Sequence, residues 1–173
     1  VQQWIKMNYL IKDWIDEGKG CLVKVDLLNY YDTINKEILI RLLYEIASSN
    51  EEKKAVVFLN GFLQQIDEPE NKVGIPQNCD ASSLLATFYV SHVDEFMLSR
   101  ALNYCRFMDD IYFVAAAVYE ARHLLQLMEK ELRSIGLALN AQKVEFISLD
   151  DQEKTFRFRE NIYSYDHTKQ MIY

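Results

Sequence analysis

The chain has 173 residues, half of them apolar, enough for one domain with a substantial core. Its net charge of −7 argues against a surface that holds nucleic acid by bulk electrostatics, which is normally basic over at least one face. No apolar run approaches the roughly 20 residues that span a bilayer, and the opening VQQWIKMNYLIKDW lacks the charged and apolar regions of a signal peptide, so a cytoplasmic protein without a membrane partner is expected.

Trp4, Met7, Leu10, Ile11, Trp14 and Ile15 recur at helical spacing, and Gly18 follows as a stop, which predicts a first helix packed on something large. CLVKVD then reads as a strand in which Leu22, Lys24 and Asp26 share one face, with Asp26 at its end. A helix is expected from about Asn35 to Ala47, interrupted by the polar SSNEEKKA before a second helical stretch, VVFLNGFLQQI. DEPENKVGIPQNCD, with both prolines, Pro69 and Pro76, is a loop.

From Asp80, as N-cap, ASSLLATFYVSHVDEFMLSRAL predicts one long buried helix. YCRFMDDIYFVAAA reads as two short strands joined by a tight turn at the aspartates. Ala121 to Ile135 make an amphipathic helix that ends at Gly136, and KVEFISL is a closing strand. This order predicts an α+β fold, a small antiparallel sheet with helices packed on one face. The three cysteines, Cys21, Cys79 and Cys105, are widely spaced without a C-x-x-C pair, so buried reduced thiols are expected, not a zinc site or a disulfide framework.

Two adjacent carboxylates inside an apolar run, Asp109 and Asp110, either favour a turn, as aspartates often do, or bind something that needs concentrated negative charge. Neighbouring central strands of a small sheet can bring them to Asp26. Three clustered carboxylates raise one another's pKa values unless a cation neutralises them, and hard oxygen ligands suit Mg²⁺. Two such ions about 4 Å apart serve phosphoryl or nucleotidyl transfer.

The residues resemble a reverse transcriptase palm. VKVDLLNYYDTI resembles the family's first catalytic motif, and FMDD its Y-x-D-D box with Phe107 in place of tyrosine. GIPQNCDASSLLATFYVSHVD resembles the G-[IL]-P-Q-G segment between them, and GLALNAQKVEFI the motif that follows, the four covering about Gly20 to Ile147. Two departures stand out, Asn78 for the usual glycine and Ser83 for the usual proline. Asn tolerates positive φ well, so the loop is expected to keep its shape.

The resemblance implies roles position by position. Asp26, Asp109 and Asp110 would be the catalytic carboxylates and Mg²⁺ ligands, helped by the backbone carbonyl of Leu27; two ions are implied, with Mn²⁺ as a substitute. Tyr31 would exclude a 2′-hydroxyl, with a core role left to Tyr30, since alternating residues of a strand face opposite ways. Gln77 would contact the incoming nucleotide through its neutral amide. Lys143 would lie near the triphosphate, although a solvated strand-edge lysine explains it equally well.

Arg106 before the box resembles the R-Y-x-D-D form of bacterial enzymes, namely those of group II introns, retrons and abortive-infection or defence systems. The implied function is RNA-directed DNA polymerisation, with dNTPs, an RNA template and a DNA or RNA primer as partners and an oligomer left open. Residues 1–173 are expected to form a single palm-centred unit of a longer chain, with a helix bordering the fingers at 1–19, palm motifs at 20–149 and an unassigned tail at 150–173. The alternatives are a defence-associated enzyme making untemplated DNA, and a catalytically inactive palm used as a binding or scaffolding module.

Overall fold

The computed structural model describes residues 2–65 and 72–160. Pro69, part of the expected loop and the tail beyond residue 160 lie outside the described residues. Four antiparallel strands form one sheet: β1 (Cys21–Asp26), β2 (Asn103–Phe107), β3 (Asp110–Ala115) and β4 (Glu145–Ser148), in the order β2-β3-β1-β4. The helices are α1 (Gln2–Glu17), α2 (Tyr30–Thr33), α3 (Lys36–Ile46), α4 (Asn50–Gln65), α5 (Asp80–Tyr89), α6 (Ser91–Leu98) and α7 (Val118–Ser134), with a 3₁₀ turn at Ala141–Lys143.

Strand alternation sorts β1 between two cores. Cys21, Val23 and Val25 join Ile111 and Phe113 of β3 under the helices, with Leu39, Ala86, Tyr89, Val93, Met97 and Met128. Leu22 points the other way, with Tyr112, Val114 and Ile147, onto Met7, Ile11, Trp14 and Ile15 of α1. The expected helical layer is therefore present, and the second face is also covered, by α1 and Phe158 of the helical stretch 152–160. Leu10, expected on the buried face of α1, is 46% exposed.

Three boundaries differ from expectation. Helix α4 starts at Asn50 because Ser49 and Glu52 cap it reciprocally: the Glu52 N–H donates to Ser49 Oγ at 3.1 Å, and Glu52 Oε2 accepts the Ser49 N–H at 2.9 Å. The long helix from Asp80 is two, breaking at Val90, where ψ reaches −2. No glycine or proline explains the break; Tyr89 anchors the end of α5 by donating its hydroxyl to the Ile135 carbonyl and accepting the Asn35 N–H at 3.3 Å, so tertiary anchoring overrides a helix-favouring sequence. The residue before α5 is Cys79, without a side-chain cap bond, and Asp80 lies in the first turn.

Gly20 enters β1 at φ 92, and a Cβ there would overlap the carbonyl oxygen of Ala115 across the sheet. Cys21 is buried and Cys105 half-buried, but Cys79 is exposed, which corrects the expectation of three buried thiols. Its thiol is held below the ordinary value by backbone N–H groups of the α5 N-terminus. Among the described residues no helix is long and apolar enough to cross a membrane.

Candidate active site

The site forms where β1 ends beside the β2–β3 hairpin. The register sets Asp26 opposite Asp110 and Phe107 opposite Asp110, so the connection is the two residues Met108 and Asp109, and Asp110 opens β3 instead of lying in the turn. Met108 takes φ 55, the positive value that the first residue of such a tight turn demands. The Leu27 N–H donates to the Asp109 carbonyl at 3.0 Å, which ties the turn to the end of β1.

Asp26 is 7% exposed, and both of its carboxylate oxygens have partners. Lys143 Nζ donates to Oδ2 at 2.9 Å and Asn140 Nδ2 to Oδ1 at 3.3 Å, while the Asn140 N–H donates to the Asp26 carbonyl at 2.8 Å. Lys143 thus stands on a 3₁₀ turn as the counter-ion of Asp26, not on a strand edge. That hydrogen bond and the charge of Asp26 hold its ammonium above the ordinary lysine value. Burial, then the negative charge of Asp109, pushes the Asp110 carboxyl up, with Lys24 opposing and Asp26 adding to the rise. Leu27 is buried and bridges Leu139.

Tyr30 and Tyr31 lie on the short helix α2 and not on a strand, yet they divide as expected. Tyr30 is buried and donates its hydroxyl to the Ala86 carbonyl. The Tyr31 hydroxyl lies 3.1 Å from Ser83 Oγ and 3.5 Å from the Met108 sulfur, so Ser83, one of the two departures, meets the phenol. Asn78, the other departure, has φ 60, so the loop keeps the left-handed conformation a glycine would take there. Gln77 Nε2 donates to Asp32 Oδ1 at 3.0 Å, next in the chain after Tyr31; its partner is this aspartate and not the carboxylate cluster.

Sequence reasoning missed Asn140, although it sits three residues before Lys143 on the same turn. It also gave Arg106 no role, and overlooked Asp94, a carboxylate on a helix whose neighbour Val93 is buried. Arg106 and Asp94 form a partly buried ion pair at 2.6 Å behind the hairpin.

Among the described residues no three histidine, cysteine or acidic side chains stand arranged to hold a metal ion. The donor set nonetheless fits Mg²⁺, which binds through one or two carboxylates plus substrate phosphates and does not require a cage made wholly of protein. A cation beside Asp26 is already part of the arrangement, in the ammonium of Lys143. Acidic oxygens, a charged lysine and a fixed phenol thus stand together at one sheet end.

The family model described as reverse transcriptase (RNA-dependent DNA polymerase) matches residues 6–164. Telomerase from Candida albicans, solved in complex with a fragment of telomeric RNA, is similar to this chain at TM-score 0.60 and 16% identity, over 82% of this chain and 30% of that one. Apo telomerase from Candida tropicalis, truncated from its C-terminal domain, gives TM-score 0.58 and 15% identity, over 84% and 34%. The chain spans about a third of the length of these telomerase chains. No curated protein matches it.

Proposed function

The chain belongs to the reverse transcriptase (RNA-dependent DNA polymerase) family of nucleotidyltransferases, and from that premise we propose that it adds deoxynucleotides to a primer 3′-hydroxyl on an RNA template. The observation that carries this is the β1–β3 register, which seats Asp110 opposite Asp26 while the Asp109 carbonyl bonds the Leu27 N–H. All three carboxylates are present, which disfavours an inactive palm.

The family generally works with divalent metal ions. Asp26 and Asp109 would hold two Mg²⁺ ions, with Asp110 and the Leu27 carbonyl completing the oxygen set and Mn²⁺ as a substitute. When bound, these ions supply charge neutralisation at the triphosphate and acidify the attacking hydroxyl. The primer 3′-hydroxyl gives its proton to solvent as its oxygen forms a bond to the α-phosphorus, the bond to the bridging oxygen breaks, and pyrophosphate leaves. Lys143, already charged at the cluster rim, would neutralise or protonate that pyrophosphate. Tyr31, fixed by Ser83, would close the space a 2′-hydroxyl needs, and Gln77, steadied by Asp32, would contact the nucleotide.

We place the chain, as a palm-centred unit, with the bacterial enzymes because Arg106 precedes its box; its free cysteines suit a cytoplasmic setting. A second mode, untemplated synthesis in antiviral defence, is favoured by the net charge of −7 and the two motif departures, Asn78 and Ser83. Sequencing the products separates the two.

The intact protein with Mg²⁺, dNTPs and a primed RNA template should extend the primer. Asp109→Ala should slow extension by about 10³-fold, roughly 4 kcal/mol of transition-state stabilisation. Undiminished extension by that variant would end the proposal.

A further inference from the structure

Arg106 lies on β2 two residues before Met108, and its side chain is only 5% exposed. A buried guanidinium must be paired. Its Nε donates to Asp94 Oδ1 at 2.8 Å and its Nη2 to Asp94 Oδ2 at 2.6 Å, a two-pronged grip on one carboxylate. Nη2 also reaches the Thr87 carbonyl at 3.3 Å, and the Tyr104 hydroxyl donates to Asp94 Oδ1 at 2.6 Å. Helices α5 and α6 and strand β2 are thereby joined behind the hairpin.

The remaining prong goes to the turn itself: Nη1 donates to the Met108 carbonyl at 2.9 Å. That oxygen belongs to the peptide linking Met108 to Asp109, so holding it fixes the plane from which the Asp109 side chain projects. Met108 has a left-handed φ of 55 that a long side chain adopts only at a cost, and the surroundings must impose it. Arg106 holds the Met108 carbonyl, and the Leu27 N–H holds the next one. The same turn sets the Met108 sulfur 3.5 Å from the Tyr31 hydroxyl.

We propose that Arg106, gripped by Asp94 and Tyr104, is the positioning residue that locks the Met108–Asp109 peptide, and that through this one peptide it sets both the Asp109 carboxylate and the sulfur abutting Tyr31. Arg106 acts through the turn and not on the substrate. Metal geometry and sugar selection then share a single support and fail together. The roles of Asp109 and Tyr31 are those of the polymerase proposal above.

Lysine keeps the charge but cannot fork to Asp94 and reach Met108 at once. The test uses the intact protein with ¹³C-methyl methionine, and Met108→Leu to assign the Met108 signal. In Arg106→Lys that resonance should shift and broaden while the signals of the other methionines hold. In primer extension, kcat should fall about tenfold or more with KM for dNTP nearly constant, and the preference for deoxy- over ribonucleotides should drop severalfold. Tyr104→Phe, which removes one bond to Asp94 and leaves the ion pair, should give a smaller change in the same direction with an unchanged melting temperature.

A folded Arg106→Lys protein with the wild-type Met108 resonance, kcat and sugar preference would overturn the inference. So would Tyr104→Phe and Arg106→Lys lowering only the melting temperature. A wild-type protein that extends no primer would instead remove the polymerase proposal, and the Met108 resonance would still decide whether Arg106 locks the turn.

Discussion

The carboxylates are held unequally. Asp26 has Lys143 and Asn140 on its oxygens, whereas Asp110 is pushed above the ordinary value of 3.8 by burial and then by the charge of Asp109. A carboxyl whose folded pKa is raised stabilises the fold in its protonated form. That contribution is complete below the unfolded value and is lost as pH rises through the folded value. In the metal-free protein Asp110→Asn should therefore melt higher than wild type at neutral pH, with the difference closing below pH 3.8. Mg²⁺ should then raise the wild-type melting temperature more than the variant's. A difference independent of pH, followed by calorimetry, would show that crowding of charge is not its source. The three aspartates were legible in the sequence because charge inside an apolar run is costly and asks for a reason. Asn140 was not, since a loop asparagine looks like turn chemistry until the fold brings it to Asp26.

Among the elements, β1 has a tight entry. The approach of Gly20 to the Ala115 carbonyl leaves no room for a side chain, and φ 92 is strained for any other residue. Gly20→Ala should cost roughly 1–3 kcal/mol from the backbone strain alone, read as a lower denaturant midpoint. A wild-type midpoint would mean that the start of β1 can shift without consequence. Strands and the amphipathic α7 were readable because periodicity reports the buried face, and Gly136 at φ 80 ends α7 as expected. The split of α5 from α6 was not readable, because its cause lies in the distant partners of Tyr89, Ile135 and Asn35. The start of α4 was readable in principle, since Ser49-x-x-Glu52 is a capping box that the polar run concealed.

Among the described residues one sheet separates two cores, and the site touches both: the helices behind the hairpin belong to the first, while Asp26 and Asp110 share strand faces with Leu22 and Tyr112 of the second. The helices that support the hairpin pack on the Val23, Val25 and Phe113 face, while α1 closes the Leu22 and Val114 face. Sequence patterning gave α1 an apolar stripe but could not say which surface receives it. Both tryptophans, Trp4 and Trp14, lie on α1, with Trp14 in the second core and Trp4 packed against it. Ile11→Ala should destabilise the fold by about 2–5 kcal/mol and shift tryptophan emission to the red, whereas Arg106→Lys should leave the emission where it is. An emission shift in the second variant alone would contradict this separation. The placement of α1 thus gives the protein an intrinsic optical reporter confined to the side of the sheet away from the supporting helices. Fluorescence followed beside circular dichroism can therefore time the closing of one core against the other without any added label.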